Sequence, residues 1–342
     1  MIKIMPQQLK IIIATGIYPP AVGGPATYAK NLTEALRKAG NRVVVLSYKL
    51  EKKLPVGVRH CLYFCRLVAS LFGADLIIAL DIFSAGFPAV LAAKIFGKKI
   101  IVRVGGDFLW ESYVNNTGEA LTLKEFYAKA PQLDAKHRLI SFFQGFVLRN
   151  CSVLVFNTQW QRDIFRREYG LEAKKIFVIE NFYGPKLDST FPDKKVFLWI
   201  GRENKLKNTE LLKSAFAEVK KQNQQIELEL SSNISFDAGQ KKISECYAFV
   251  LPSLSDVGPN LILEAMQYNK PFILTRETGL FEKLKDIGIF VDPQNQEDIK
   301  NKILFLANDE NYSEYKRRVA DFKFTHSWQE IAQEFLDIYS RI

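Results

Sequence analysis

Lys10-Ile11-Ile12-Ile13-Ala14-Thr15-Gly16-Ile17-Tyr18-Pro19-Pro20-Ala21-Val22-Gly23-Gly24-Pro25 decides how this chain is read. Residues 10–14 form a short β-branched run with no polar alternation, the pattern of a strand buried on both faces. The glycines and prolines that follow break it. Over residues 27–39, Tyr28, Leu32, Ala35, Leu36 and Ala39 share one helical face, and Gly40-Asn41 stops the helix. A second apolar run follows at 42–47. Strand, loop, helix and strand in that order mean a parallel pair with a helical crossover.

The alternation continues outward. Further strands are expected at 76–80, 100–104, 152–157 and 176–179. Helices are expected at 87–96, 133–149 and 158–169, the last closed by Gly170. Residues 183–195 hold Gly184, Pro185, Asp188, Ser189, Pro192 and Asp193, the composition of a linker. The pattern then restarts, with strands at 196–200, 226–230, 248–251, 272–275 and 288–291. Helices are expected at 209–222, 260–268, 297–307 and 327–342. The fold class is therefore α/β: two Rossmann-like domains facing across a cleft. The expected divisions are 1–185, 190–325 and a last helix, 326–342, packing back on the first domain. Ligands of such sheets bind outside the carboxyl ends of the strands.

Composition narrows the classes. Of 342 residues, 48% are hydrophobic and 25% charged, as in a folded globular chain. No apolar run reaches the roughly eighteen residues of a spanning helix; residues 71–96 are interrupted by Asp75, Asp81 and Lys94. Lys3 and Lys10 flank the N-terminus, but the apolar run 11–14 is too short for a signal peptide, so the cytoplasm is expected. Cys61, Cys65, Cys151 and Cys246 form no Cys-x-x-Cys pair and read as reduced, buried thiols. His60 beside two of them is an incomplete metal set, and no metal is expected. The net charge of +10 is uneven. Residues 1–190 carry 26 Lys and Arg against 14 Asp and Glu, and residues 191–342 carry 21 against 23. The basic half is expected to meet anionic lipid or to neutralise a bound phosphate. Residues 133–149 mix Lys136, His137, Arg138 and Arg149 with Phe142, Phe143, Phe146 and Val147. That helix either rests on a membrane or faces the core. No nucleic-acid module is recognised.

Three segments carry candidate chemistry. Gly23-Gly24 lets a backbone approach a ligand, and the helix starting at Pro25-Ala26 offers free N–H groups to a phosphate; a plain tight turn fits the same residues. Gly201-Arg202 ends a strand and Lys207 follows, so two cations stand where a diphosphate would be held, or on a solvated surface. Finally, Asp256 precedes Gly258-Pro259-Asn260-Leu261, which opens a helix carrying Glu264 among apolar neighbours. A carboxylate in that setting needs a partner, either ribose hydroxyls or a salt bridge.

These segments together resemble the retaining glycosyltransferases of the GT-B fold, family 4, which share the "glycosyltransferases group 1" domain. The resemblance covers nearly the whole chain. It rests on Gly23-Gly24, Gly201-Arg202 with Lys207, Asp256 eight positions before Glu264, Pro252-Ser253, Glu264-Ala265-Met266, Lys270-Pro271 and Ser327-Trp328. It implies an acceptor domain over 1–185 and a nucleotide-sugar donor domain over 190–325. Gly23 and Gly24 would lie near donor phosphates and acceptor. Arg202 and Lys207 would hold the diphosphate and stabilise it as the sugar leaves. Gly258, Asn260 and Leu261 would touch phosphate or sugar, Glu264 the ribose, and Asp256 the transferred sugar. No bound cofactor is implied. The donor is a nucleotide-diphosphate sugar, and the acceptor a saccharide or lipid-linked molecule. The expected setting is cell-envelope polysaccharide synthesis in the cytoplasm, and the basic N-terminal half adds the expectation of a peripheral contact with the inner face of the plasma membrane.

The chain departs from that pattern in three ways. The first acidic residue is Asp256 where Glu is usual. The family's His after the fourth strand is absent from Val104-Gly105-Gly106-Asp107, leaving Asp107 either to orient an acceptor hydroxyl or to serve as a turn residue. Residues 231–247 lack a Gly-Asp-Gly-like loop and a further strand–helix unit, so the donor domain is shortened. The last two departures motivate an alternative, a catalytically inactive relative acting as a binding subunit.

Overall fold

The computed structural model describes residues 8–21 and 23–342; Lys3 and Val22 lie outside them. Contacts divide the chain into two units. One comprises Met1–Leu109, Leu133–Glu180 and Ser327–Ile342, the other Trp110–Gln132 and Asn181–His326.

In chain order the first half runs β1 (Lys10–Thr15), α1 (Gly24–Lys38), β2 (Arg42–Ser47), α2 (Val56–Ser70), β3 (Leu76–Ala79), α3 (Gly86–Ile95) and β4 (Lys99–Val104). Then come α4 (Phe108–Thr117), α5 (Leu123–Lys129), α6 (Ala135–Asn150), β5 (Val153–Phe156), α7 (Gln159–Tyr169) and β6 (Ile176–Val178). The strands form one parallel sheet in the order β2-β1-β3-β4-β5-β6. Ile11, Ile12, Ile13 and Ala14 are fully buried, as a strand covered on both faces requires. Helix α1 starts three residues earlier than its apolar face suggests. Gly23 caps it at φ 139°, a conformation that only glycine adopts without strain, and Pro25 fits the first turn. Asp134 accepts from the His137 N–H and sets the start of α6 at Ala135.

The second half runs β7 (Lys195–Ile200), α8 (Thr209–Gln222), β8 (Ile226–Ser231), α9 (Phe236–Glu245), β9 (Ala248–Leu251), α10 (Asn260–Gln267) and β10 (Phe272–Thr275). It continues through α11 (Phe281–Leu284), β11 (Ile289–Val291), α12 (Gln296–Ala307) and α13 (Asp309–Asp321), and ends in α14 (Trp328–Tyr339). Its parallel sheet has the order β11-β10-β9-β7-β8. β10, Phe-Ile-Leu-Thr, is wholly buried, while edge strand β8 alternates Ile226, Glu227, Leu228, Glu229. Residues 231–247 close the β8-to-β9 crossover with α9 alone. Ser235 caps that helix, and Gly239 and Ile243 seat it on the core.

The sequence reading differs from the structure in three places. Residues 110–132, read as part of the first domain, group with the second unit. There the Leu123 N–H donates to Ser255 Oγ at 2.9 Å, Gln294 Nε2 donates to Ala120 O and Glu125 Oε2, and Lys124 faces Glu277. The segment read as a linker is held at its start and middle: Tyr183 and His326 exchange backbone hydrogen bonds, and Lys186 Nζ donates to the carbonyls of Met266 and Val319. The thiols also divide. Burial pushes Cys151 and Cys246 up to about 12, whereas Cys61 and Cys65 are exposed on α2.

Candidate functional site

Both sheet orders reverse beside their first strand, between β1 and β3 and between β7 and β9, and ligands of such sheets bind at the carboxyl end of that reversal. In the second unit β7 ends at Ile200-Gly201. A Cβ on Gly201 would come within 2.9 Å of the Trp199 indole, so the turn needs glycine. Arg202 follows, exposed, with no ion pair among the described residues. Asn204 Oδ1 then accepts from the Lys207 N–H at 3.1 Å and tightens a 3-10 turn. Asn208, left-handed at φ 56°, donates to the carbonyls of Pro252 (3.0 Å) and Pro293 (2.6 Å) and clamps this loop to those after β9 and β11.

That clamp brings Lys207 Nζ to 2.9 Å from Asp256 Oδ2. Asp256 is fixed through its backbone, its N–H donating to Glu277 O and its carbonyl accepting from the Gly279 N–H. The two side chains are 31% and 14% exposed, so the pair is reachable from solvent without being freely hydrated. Helix α10 begins at Asn260 after Pro259, and no side chain caps it. Its first turn therefore offers N–H groups and a positive dipole end beside the Lys207 loop. Asn260 Oδ1 accepts from Asn181 Nδ2 at 2.8 Å, and the same amide donates to Gly258 O. Leu261 is half-buried against the core.

One turn on, Glu264 is half-buried, and its Oε2 accepts from Gln240 Nε2 at 2.6 Å. Burial pushes its carboxyl up to about 7, with the Gln240 hydrogen bond acting against the shift. The partner expected for this carboxylate is thus in part an amide from α9. Gln240, Asn208 and Asn181 are contributors that the motifs did not reveal. Asn208 directly follows Lys207 in a polar turn, which was the available signal. Gln240 and Asn181 carried none, because their partners lie 24 and 79 residues away.

Gly23, Gly24 and Asp107 belong to the first unit. The carbonyl of Gly23 accepts from the Ala26 and Thr27 N–H groups, and no acidic residue stands in the first turn of α1. Asp107 is 0% exposed, and its Oδ1 accepts from the Leu109 N–H at 3.0 Å and from Gln144 Nε2 at 3.1 Å. An acceptor base must reach a hydroxyl, so this geometry supports the turn reading: Asp107 starts α4 and ties it to α6. Among the described residues, no three His, Cys, Asp or Glu side chains are grouped to hold a metal.

Comparison with known proteins gives the same outline. The model of the family described as Glycosyltransferase Family 4 matches residues 22–185, and that of Glycosyl transferases group 1 matches residues 237–321. An uncharacterized glycosyltransferase of Methanocaldococcus jannaschii is 30% identical over 118 residues, about a third of each chain. The fold is that of sucrose-phosphate synthase from Thermosynechococcus elongatus, with a TM-score of 0.73, 15% identity and 98% and 99% of the two chains covered. It is likewise that of the catalytic domain of starch synthase IV from Arabidopsis thaliana bound to ADP and acarbose, with a TM-score of 0.66, 10% identity and 98% and 99% covered. With both of its domains matched in order, the chain belongs to the group 1 glycosyltransferases of family 4.

Proposed function

We propose that this protein transfers a sugar, with retention, from a nucleoside-diphosphate sugar to a saccharide or lipid-linked acceptor. The observation that carries the reading is Lys207, held by Asp256 and the Asn208 clamp beside the uncapped start of α10. Charge develops on the diphosphate as the glycosidic bond breaks. Cations and helix N–H groups fixed beforehand stabilise that charge more in the transition state than in the ground state. Arg202 and Lys207 supply the cations, and Gly258, Asn260 and Leu261 the backbone donors. Asp256 orients Lys207 and meets the transferred sugar. Glu264 accepts from the ribose hydroxyls, which takes over from Gln240 or joins it. Starch synthase IV, of the same fold, has been seen with a nucleotide and a saccharide together, the two ligand classes this reading requires.

Gly23 and Gly24 complete the reading as the backbone that meets donor phosphate and acceptor. The motive for an inactive binding subunit weakens, because the short segment 231–247 folds as a whole crossover and delivers Gln240 to Glu264. We place the reaction on the cytoplasmic side of a plasma membrane, met peripherally by the basic N-terminal half, in cell-envelope polysaccharide synthesis. A screen of activated sugars for slow hydrolysis without acceptor tests the proposal. One donor class should be hydrolysed by the parent and not by Lys207→Ala. Hydrolysis of no nucleotide sugar, or equal rates in both proteins, would sink it.

A further inference from the structure

Helices α2, α3 and α6 form one layer: α2 packs on α3, and α3 on α6. Right-handed crossovers in a parallel sheet put this layer on the face opposite α1. The two faces are finished differently. Helix α14 covers α1, with Trp328 edge-on to Tyr28. Nothing among the described residues covers the outer side of α2 in the same way.

That outer side is apolar. The exposed positions of α2 include Val58, Cys61, Leu62, Cys65 and Ala69, an i, i+3, i+4, i+7 stripe facing water. Phe72, just past its end, is 92% exposed. On α6, Leu139 and Phe142 are also exposed, Phe142 by 63%. A row of rings braces Phe142 from behind: it meets Phe143 at 5.5 Å, and Phe143 meets Phe87 at 4.4 Å. An exposed apolar face of this extent marks an interaction surface.

Charge identifies the partner. The three helices contain Arg59, Arg66, Lys94, Lys136, Arg138 and Arg149, and not one Asp or Glu. Arg66 is paired with Glu51, but Lys136, Arg138 and Arg149 are exposed and in no ion pair among the described residues. Asp134 caps α6 beside them but is engaged by His137, and apolar side chains rimmed by unpaired cations on helices without a carboxylate suit an anionic bilayer interface. A protein partner of mixed charge would not demand that exclusion. Among the described residues no helix is long and apolar enough to cross a membrane, so the contact is one of lying on the surface.

We propose that the α2–α3–α6 layer seats on an anionic phospholipid surface, with Leu62, Phe142 and their neighbours in the headgroup region and Lys136, Arg138 and Arg149 against lipid phosphates. The inference rests on the peripheral placement above but not on the transfer chemistry, since a chain that moved no sugar would still bind there.

Flotation of the full chain with vesicles of phosphatidylcholine, with and without phosphatidylglycerol, tests it. Binding should require phosphatidylglycerol and weaken with salt. A Leu62→Ser/Phe142→Ser variant should lose about tenfold or more in partitioning, and Lys136→Glu/Arg138→Glu at least about tenfold. Both should keep the parent's melting temperature and nucleoside-diphosphate affinity, which separates this inference from the donor site. Absence of binding to anionic vesicles, equal binding to neutral ones, or double variants that float like the parent would overturn it. So would a dimer of the parent that the same substitutions dissolve, since the face would then belong to a second copy.

Discussion

The two units share a strand order, the first with one strand more, and differ in what stands where that order reverses. In the first unit the loop between β1 and α1 carries no charged side chain. The nearby carboxylate after β3, Asp81, is engaged locally, accepting from the N–H groups of Phe83, Ala85 and Gly86 and from the Ser84 hydroxyl. In the second unit the loop after β7 carries Arg202, Lys205 and Lys207 against one acid, Glu203, and the carboxylate after β9, Asp256, pairs with Lys207. Topology offers a ligand site at both reversals. Charge separates the two: the second offers cations, which a diphosphate would require, and the first offers glycine backbone and helix N–H groups without a charged side chain.

The largest expected effect lies at Lys207. Lys207→Ala should lower kcat for sugar transfer by about a thousandfold, the scale of losing one preorganised charge-stabilising donor. Its melting temperature should barely move, because the side chain is partly solvated. A steady-state assay showing turnover within about tenfold of the parent would erase the contrast between the two reversals.

Glu264 should matter next, and through binding. Removing a hydrogen-bond acceptor that is charged when donor is bound costs about 10- to 100-fold in donor affinity, read as a rise in KM for Glu264→Ala. The pH dependence sharpens this. Burial holds the carboxyl at about 7, above its ordinary range, while ribose hydroxyls favour the ionised form. Donor affinity should therefore climb as pH rises through about 7 and then level off. Folding stability without donor runs the other way. The unfolded carboxylate ionises first, so this group's contribution falls as pH rises from the usual carboxylate range to about 7. Glu264→Gln should flatten both slopes in calorimetric titrations and thermal melts. Slopes that persist in that variant would place the titrating group elsewhere.

The smallest effect is expected at Asp107. Asp107→Asn keeps the oxygen that accepts from Leu109 and Gln144, so turnover should change less than about tenfold. A loss of turnover beyond a hundredfold would make the loop after β4 chemically active after all.

Much of the frame was legible because fully buried parallel strands read as unbroken apolar runs: Ile11-Ile12-Ile13 and Phe272-Ile273-Leu274 are short and bounded by breakers, which sets them apart from helix. The position of Arg202 at the end of β7 was legible for a related reason, since Gly201-Arg202 breaks an apolar strand abruptly. What escaped was long-range. That residues 110–132 group with the second unit depends on contacts such as Leu123 with Ser255, 132 residues apart, which no local pattern encodes. Helix α2 escaped because apolar Val58, Cys61, Leu62 and Cys65 are exposed, so its apolar positions do not mark a single buried face. Gln240 escaped because a single amide on an amphipathic helix looks like any solvated residue until Glu264 lies against it.

The central claim is that the reversal between β7 and β9 holds a nucleoside diphosphate through Lys207. Calorimetric titration of the parent and Lys207→Ala with a panel of nucleoside diphosphates, with the matching monophosphates alongside, tests it most directly. The parent should bind one diphosphate well ahead of its monophosphate, and Lys207→Ala should lose that preference along with about 10- to 100-fold in affinity. Equal affinity in the two proteins, or no diphosphate binding by the parent, would contradict the account.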